Sequence, residues 1–235
     1  MSQTPIIIVT GTDTEIGKTL VTCALADRFR RRGIDVRAVK PVESGLDELE
    51  PQQTDGARLA RAADQQGPER ALTELSRPLA PPEAADIDGV ELWFDDWCRH
   101  IETIADDADL VFVEGAGGLL SPLTWEHTAR ELAAALGAPA LVVAPDALGV
   151  LNHTLMTVEV LDGADIPLLG VVFSRARDAD ASTDKNPHTF RRVSGIDRVT
   201  SLPTVDGPET ASRHLTEVAD WIEASLEVPE PGGDR

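Results

Sequence analysis

Lysine is almost missing from this chain of 235 residues: Lys18, Lys40 and Lys185 stand against 18 arginines. Cysteine is scarce as well, with Cys23 and Cys98 alone. Two cysteines in helix-like stretches define no disulfide framework, so they read as small buried hydrophobes of a protein kept in a reducing cytoplasm. No apolar run approaches the roughly 20 residues that a membrane span requires. The start, MSQTPIIIVTGT, has no basic segment and only Ile6–Val9 as an apolar stretch, unlike a signal peptide or anchor. Basic charge is short overall: 21 Lys and Arg face 41 Asp and Glu, a formal net charge of −20. Such a surface repels nucleic-acid phosphates and anionic lipid headgroups, so neither is expected as a partner.

The acids do not signal disorder, because they are spread over amphipathic segments rich in Leu, Val and Ile. They fit a folded protein of a high-salt, halophilic cytoplasm. Molar salt shortens the screening length to about 3 Å, and self-repulsion is then tolerated.

Short apolar runs alternate with helical patterns. Strands are expected at Pro5–Thr10, Asp35–Lys40, Asp109–Glu114, Pro139–Ala144, Leu168–Ser174 and Val199–Leu202. Helices are expected at Lys18–Arg32, Asp55–Ala63, Val90–Ala105, Thr128–Leu136, Gly149–Leu161 and Glu209–Leu226. In the third of these, Val90, Trp93, Phe94, Trp97, Ile101 and Ile104 recur at helical spacing and read as core. Arg177–Pro187 reads as a loop, and residues 229–235 as a disordered tail after a single domain, 1–228. The alternation predicts an α/β fold: a mostly parallel sheet with helices on both faces, of the P-loop NTPase type. Ligands of such sheets bind beyond the carboxyl ends of the strands.

The strongest motif is Gly11-Thr-Asp-Thr-Glu-Ile-Gly-Lys-Thr19, set between a strand and a helix. Glycines let the backbone curl so that successive N–H groups face phosphate oxygens. Lys18 then reaches the β- and γ-phosphates, and the Thr19 hydroxyl ligates Mg²⁺. Five residues separate Gly11 from Gly17 where the usual loop has four, and Thr12 stands where glycine is usual. Glu15 puts a carboxylate inside this loop, where it either meets a cation, from a substrate or an internal partner, or stands as a solvated loop acid.

Lys40-Pro-Val-Glu-Ser44-Gly45 closes the second strand. Where arginine has displaced lysine nearly everywhere, a retained lysine marks a site needing a compact point charge, here for transferring phosphoryl oxygens. Ser44 can donate to a substrate oxygen. Glu114 ends a buried strand ahead of Gly115-Ala116-Gly117-Gly118, where nucleotide enzymes hold Mg²⁺. Asp55 opens a helix and is either a second Mg²⁺ ligand or a capping acid.

Together these residues resemble dethiobiotin synthetase. The likeness is carried by Gly11–Thr19, Lys40–Gly45, Asp55, Pro78–Ala85, Val113–Gly118 with the following Leu-Leu-Ser-Pro, and Leu148–His153, in family order across most of positions 5–205. The resemblance implies that 7,8-diaminopelargonate, CO₂ and ATP give dethiobiotin, ADP and phosphate, through a carbamate and a carbamic–phosphoric anhydride. It implies Lys18 and Lys40 on the phosphoryl oxygens, Thr14 and Ser44 near the carbamate, and Thr19, Asp55 and Glu114 on the metal. It also implies nucleotide contacts from Glu15, Ile16, Gly17, Leu20, Gly115, Ala116, Gly117, Ser174, Arg175, Pro203, Thr204 and Val205. It further implies a homodimer in which Val150, Leu151 and Asn152 of one subunit hold the substrate carboxylate of the other. Ser174 departs from the asparagine common in the family, and a hydroxyl lacks an amide's paired donor and acceptor for reading a base. Two rival readings share the fold. A partitioning-type switch ATPase usually carries a further lysine early in its loop, where this chain has Thr12 and Asp13. A related amidoligase normally carries a glutaminase domain.

The acid excess sets a first expectation. Folding followed by circular dichroism against KCl concentration should weaken well below molar salt; full stability at low salt would contradict the high-salt reading.

Overall fold

The computed structural model describes residues 4–175, 180–226 and 228. Its strands are β1 (Ile6–Gly11), β2 (Val36–Val39), β3 (Val42–Ser44), β4 (Thr73–Leu75), β5 (Leu110–Glu114), β6 (Ala140–Asp146), β7 (Leu168–Arg175) and β8 (Val199–Leu202). Its helices are α1 (Lys18–Arg31), α2 (Asp55–Ala63), α3 (Pro81–Asp88), α4 (Phe94–Asp106), α5 (Ala129–Ala135), α6 (Val150–Asp162), α7 (Asn186–Ser194), α8 (Pro208–His214) and α9 (Thr216–Ser225). Six strands form one parallel sheet in the order β2-β5-β1-β6-β7-β8. Strands β3 and β4 form a small parallel pair beside it.

The sheet is apolar on both faces because its residues alternate between two cores. Ile8, Val111, Val113 and Val142 point into one; Ile7, Val9, Phe112, Leu141 and Val143 point into the other. Side chains from α3 to α7 fill the first, and side chains from α1, α2, α8 and α9 fill the second. Phe29 of α1 meets Phe112 of β5 with ring centroids 6.1 Å apart and planes tilted by 42°. Both rings are fully buried, and each such burial contributes roughly 1.5–3 kcal/mol.

All six strands of the main sheet lie where the sequence places them, within about two residues at either end. Register then brings the motifs to one edge. Val9 of β1 lies level with Glu114 of β5, and Gly11 with Val143 of β6. The glycine loop and Glu114 therefore emerge side by side at the carboxyl edge.

Several expectations need correction. The Val90–Ala105 helix begins at Phe94, because Gly89 ends α3 in the left-handed region (φ 67°) and Trp93 is extended. Trp93 is consequently 60% exposed rather than core, while Trp97 and Ile101 are buried as expected. The Glu209–Leu226 helix is two helices, since the chain turns at Leu215 to bury that side chain. The end of the Arg177–Pro187 loop belongs to α7, whose first turn accepts Pro187 because proline lacks an N–H that a helix start leaves unpaired anyway. Residues 176–179, and with them the start of that loop, and the expected tail at 229–235 lie outside the described residues. Both cysteines are free, Cys23 buried and Cys98 half-buried. Among the described residues no helix is long and apolar enough to cross a membrane.

Helix α5 starts with a reciprocal cap: Thr128 accepts from the Arg130 N–H at 3.2 Å, and Glu131 accepts from the Thr128 N–H at 2.8 Å. Burial works against the Glu131 carboxylate, but hydrogen bonds from Thr128 and Arg130 outweigh it and hold the pKa down to about 2. A depressed carboxyl pKa contributes stability above its unfolded value and loses it as pH falls through the folded one. Glu131→Ala should therefore cost about 1 kcal/mol at neutral pH. Denaturant melts should show the gap between the two proteins closing as pH falls from about 4.5 toward 2.

Candidate active site

Gly11 ends β1 where a side chain has no room. A Cβ there would stand 2.4 Å from Ile16 Cδ1 and 3.0 Å from the Val143 carbonyl. The loop then closes on Gly17, which is left-handed at φ 97°, and α1 begins at Lys18. Unpaired N–H groups and the positive end of the helix dipole thus face the loop's interior. Lys18 folds back over the loop, its Nζ donating to the Asp13 carbonyl at 2.6 Å. Glu15, also left-handed at φ 53°, is exposed at the rim.

Next to the loop lies a cavity of about 580 Å³. Thr14, Glu15, Ile16, Gly17, Lys18, Thr19 and Leu20 line one side of it. Lys40, Ser44, Asp55, Glu114, Ala116 and Gly117 line the rest, together with Glu43, Leu49, Gln53 and Arg58. Its volume lies within the usual range for a small-molecule site.

Charge in the cavity is concentrated on one lysine. Lys40 Nζ donates to Asp55 Oδ2 at 2.5 Å and to Glu114 Oε1 at 2.8 Å. Thr19 Oγ1 donates to the same Glu114 oxygen at 2.8 Å. Glu114 is wholly buried, and its other oxygen, Oε2, has no hydrogen-bond partner among the described residues. Burial opposes the charge on Lys40, but Glu114 and Asp55 outweigh it and raise its pKa above the ordinary lysine value. Burial likewise opposes the Asp55 carboxylate, and Lys40 overcomes that and lowers its pKa. Lys18 has no carboxylate so close among the described residues: burial leads, Lys40 adds repulsion, and its pKa drops to about 8 despite the attraction of Glu114.

A hydroxyl and two carboxylates, one of them with an orphaned buried oxygen, form an all-oxygen set of the kind hard divalent cations take. Thr19, Asp55 and Glu114 therefore fit a Mg²⁺ ion.

Comparison with known proteins decides the family. Residues 6–211 match the family model described as an AAA domain. An ATP-dependent dethiobiotin synthetase of Anaeromyxobacter sp. (strain Fw109-5) is 42% identical over 202 residues, 85% of this chain and 90% of that protein. That of Rhodococcus erythropolis is 39% identical over 212 residues, covering 87% and 91%. The chain belongs to the ATP-dependent dethiobiotin synthetase family. It is an ATP-dependent ligase of biotin biosynthesis. Among solved structures, the cell division ATPase MinD of Pyrococcus furiosus superposes with a TM-score of 0.64 at 19% identity, over 94% of this chain and 99% of that one. A ParA family ATPase of Chlorobium tepidum does so with 0.55 at 12% identity, over 93% and 97%. At such identities the likeness concerns the fold alone.

Other residues that the dethiobiotin synthetase resemblance singled out lie around this cavity or away from it. Ser174 touches the loop: a Cβ on Gly17 would come within 2.7 Å of its Oγ. It pairs in register with Leu202, so Pro203 and Thr204 follow beside it, exposed, with Val205 half-buried against the core. Arg175 is paired with Asp184 at 2.7 Å. Gly115 donates its N–H to the Val9 carbonyl and closes the turn after β5. Val150, Leu151 and Asn152 open α6 and do not line the cavity. Val150 is buried, and Asn152 is exposed. Glu43 and Arg58 carry no mark in the sequence as cavity residues. Glu43 sits inside a quoted motif, and its alternation with Val42 in a three-residue strand was too short a signal to read.

The depressed pKa of Lys18 has a binding consequence. Below about 8 the free protein carries an ammonium there; above it the amine is mostly neutral, and polyphosphate would restore the proton. Calorimetry of ADP binding in buffers of different ionisation enthalpy should show net proton uptake at about pH 8.5 and little near pH 6.5. Lys18→Met should abolish the uptake.

Proposed function

We propose that the cavity carries out ATP-dependent carboxylation and ring closure of 7,8-diaminopelargonate with CO₂, giving dethiobiotin, ADP and phosphate. The observation that carries this is convergence: two of the chain's three lysines and the Thr19, Asp55 and Glu114 oxygens share one cavity at the phosphate loop. Family membership supplies the substrates.

One amine of the substrate takes up CO₂ and loses a proton, giving a carbamate. A carbamate oxygen attacks the γ-phosphorus of ATP, and ADP leaves, forming a carbamic–phosphoric anhydride. The second amine attacks the carbamoyl carbon, phosphate leaves, and the cyclic urea closes. None of these steps needs a protein nucleophile. The protein's part is to align the reactants and neutralise charge.

Lys18 and Lys40 hold phosphoryl oxygens; with its raised pKa, Lys40 stays cationic throughout. Thr14 and Ser44 line the cavity for the carbamate, the Ser44 hydroxyl turning to it from the Leu79 carbonyl, to which it donates at 2.8 Å. Thr19, Asp55 and Glu114 would hold Mg²⁺, which would neutralise charge on the polyphosphate. The loop backbone from Glu15 to Leu20 and the turn at Gly115–Gly117 cradle the nucleotide's phosphates. Ser174, Arg175 and Pro203–Val205 lie on the base side. The start of α6, Val150–Asn152, suits a substrate carboxylate on a partner subunit, because a helix N-terminus attracts anions. This reading makes the protein a homodimer, and its free cysteines suit a cytoplasmic setting.

The decisive experiment supplies diaminopelargonate, bicarbonate and Mg-ATP in molar KCl and measures dethiobiotin. Turnover is expected, and Lys40→Met should lower kcat at least about a hundredfold. Absence of product would overturn the activity. ATP is the expected donor; with CTP and GTP in its place, rates close to that with ATP would show that Ser174, lacking an amide's paired donor and acceptor, reads the base weakly.

A further inference from the structure

Glu43 is a buried carboxylate lining the cavity that the chemistry above leaves without a task. It stands on β3, three residues beyond Lys40. Its Oε1 accepts the Asp55 N–H at 2.6 Å, and its Oε2 accepts the Gly56 N–H at 2.9 Å. These are the first two N–H groups of α2, which a helix cannot satisfy from within. They also lie at the positive end of the helix dipole, where a carboxylate is favoured.

The start of α2 is confined from its other side. A Cβ on Gly56 would come within 2.3 Å of the Ala71 nitrogen, so the helix start lies directly against the 70–71 backbone. That backbone is tied to the same strand: Leu72 donates to the Lys40 carbonyl at 2.9 Å and Thr73 to the Pro41 carbonyl at 3.0 Å. One short stretch, Lys40–Glu43, therefore grips Asp55 twice. Lys40 holds its side chain, and Glu43 holds its backbone.

The two grips differ in permanence. An ammonium that also serves phosphoryl oxygens must share its three N–H donors with them. The amides held by Glu43 belong to a helix end and have no other duty. We infer that Glu43 is a positioning residue: it pins the first turn of α2 so that Asp55 stays aimed at the cavity while Lys40 engages phosphate. The group it serves through Asp55 is the divalent cation that accompanies the nucleotide. This rests on the assignment of Asp55 as a cation ligand under the proposed function. Outer partners of metal ligands typically change metal affinity by 10–100-fold when removed.

The test titrates Mg²⁺ into ADP binding, followed by calorimetry, for the full chain and for Glu43→Ala, Glu43→Gln and Asp55→Asn. Hydrogen exchange of residues 54–57 is measured alongside. Glu43→Ala should raise the half-saturating Mg²⁺ concentration roughly tenfold and speed exchange at Asp55 and Gly56. Mg²⁺-free ADP binding should stay within about twofold. Glu43→Gln keeps one acceptor and should shift Mg²⁺ dependence less; it also covers the case in which the alanine variant fails to fold. Unchanged Mg²⁺ dependence in the glutamine and alanine variants, with Asp55→Asn shifted, overturns the role of Glu43 alone. An equal loss of ADP binding with and without Mg²⁺ also overturns it, as a merely structural effect. Unchanged Mg²⁺ dependence in Asp55→Asn overturns the assignment of Asp55, and the role of Glu43 with it.

Discussion

The contact on which the site depends is the buried lysine between two acids. Lys40 is shielded from water, Glu114 more so, and neither charge is tolerable there alone. Their mutual attraction, shared with Asp55, keeps Lys40 and Asp55 ionised in a place where burial would otherwise neutralise them. It also fixes distances between parts of the chain far apart in sequence: the end of β2, the start of α2 and the end of β5. A single ammonium thus determines where the acid edge of the cavity lies relative to the glycine loop.

The sheet supplies the other half of that geometry. β1 and β5 are neighbours, and the level pairing of Val9 with Glu114 brings the loop and the acid out together. Thr19, one residue into α1, then reaches Glu114 directly. Within the loop the left-handed backbone falls on Gly17 and on Glu15. Gly11 and Gly17 are each hemmed by atoms that a methyl group would strike, Ile16 in one case and Ser174 in the other. The loop's extra residue relative to the common spacing leaves this arrangement intact, because α1 still starts at Lys18.

Much of this was legible in the sequence. β1, β5, β6 and β7 carry near-continuous apolar runs, and a run buried on both faces needs no periodicity to be seen. The cavity residues were legible because chemistry marked them: glycines before a helix, rare lysines, and an acid ending an apolar strand. The illegible parts are those set by contacts distant in sequence. The β3–β4 pair consists of three-residue strands whose pairing exists only once α2 and the 70–75 segment are in place. Trp93 fits a helical apolar pattern, yet Gly89 ends one helix and the next begins after it, so the pattern ran through a junction. Glu43 falls in the same class, since a carboxylate that caps a helix across a chain reversal carries no mark of that partner.

The distribution of lysine follows from the same physics. On an acidic surface arginine can replace lysine freely, since either cation remains hydrated and neither needs a fixed partner. Lys40 occupies a different environment: its Nζ has two carboxylate oxygens within 2.8 Å and negligible water. A guanidinium would bring five N–H donors in a rigid plane into a space where two acceptors suffice, leaving the rest unpaired or displacing Asp55. Lys18, arched over the loop onto the Asp13 carbonyl, meets the same limit. Lysine is thus retained at these two positions by the shape of the cavity, and that shape is drawn by the acids and glycines around it.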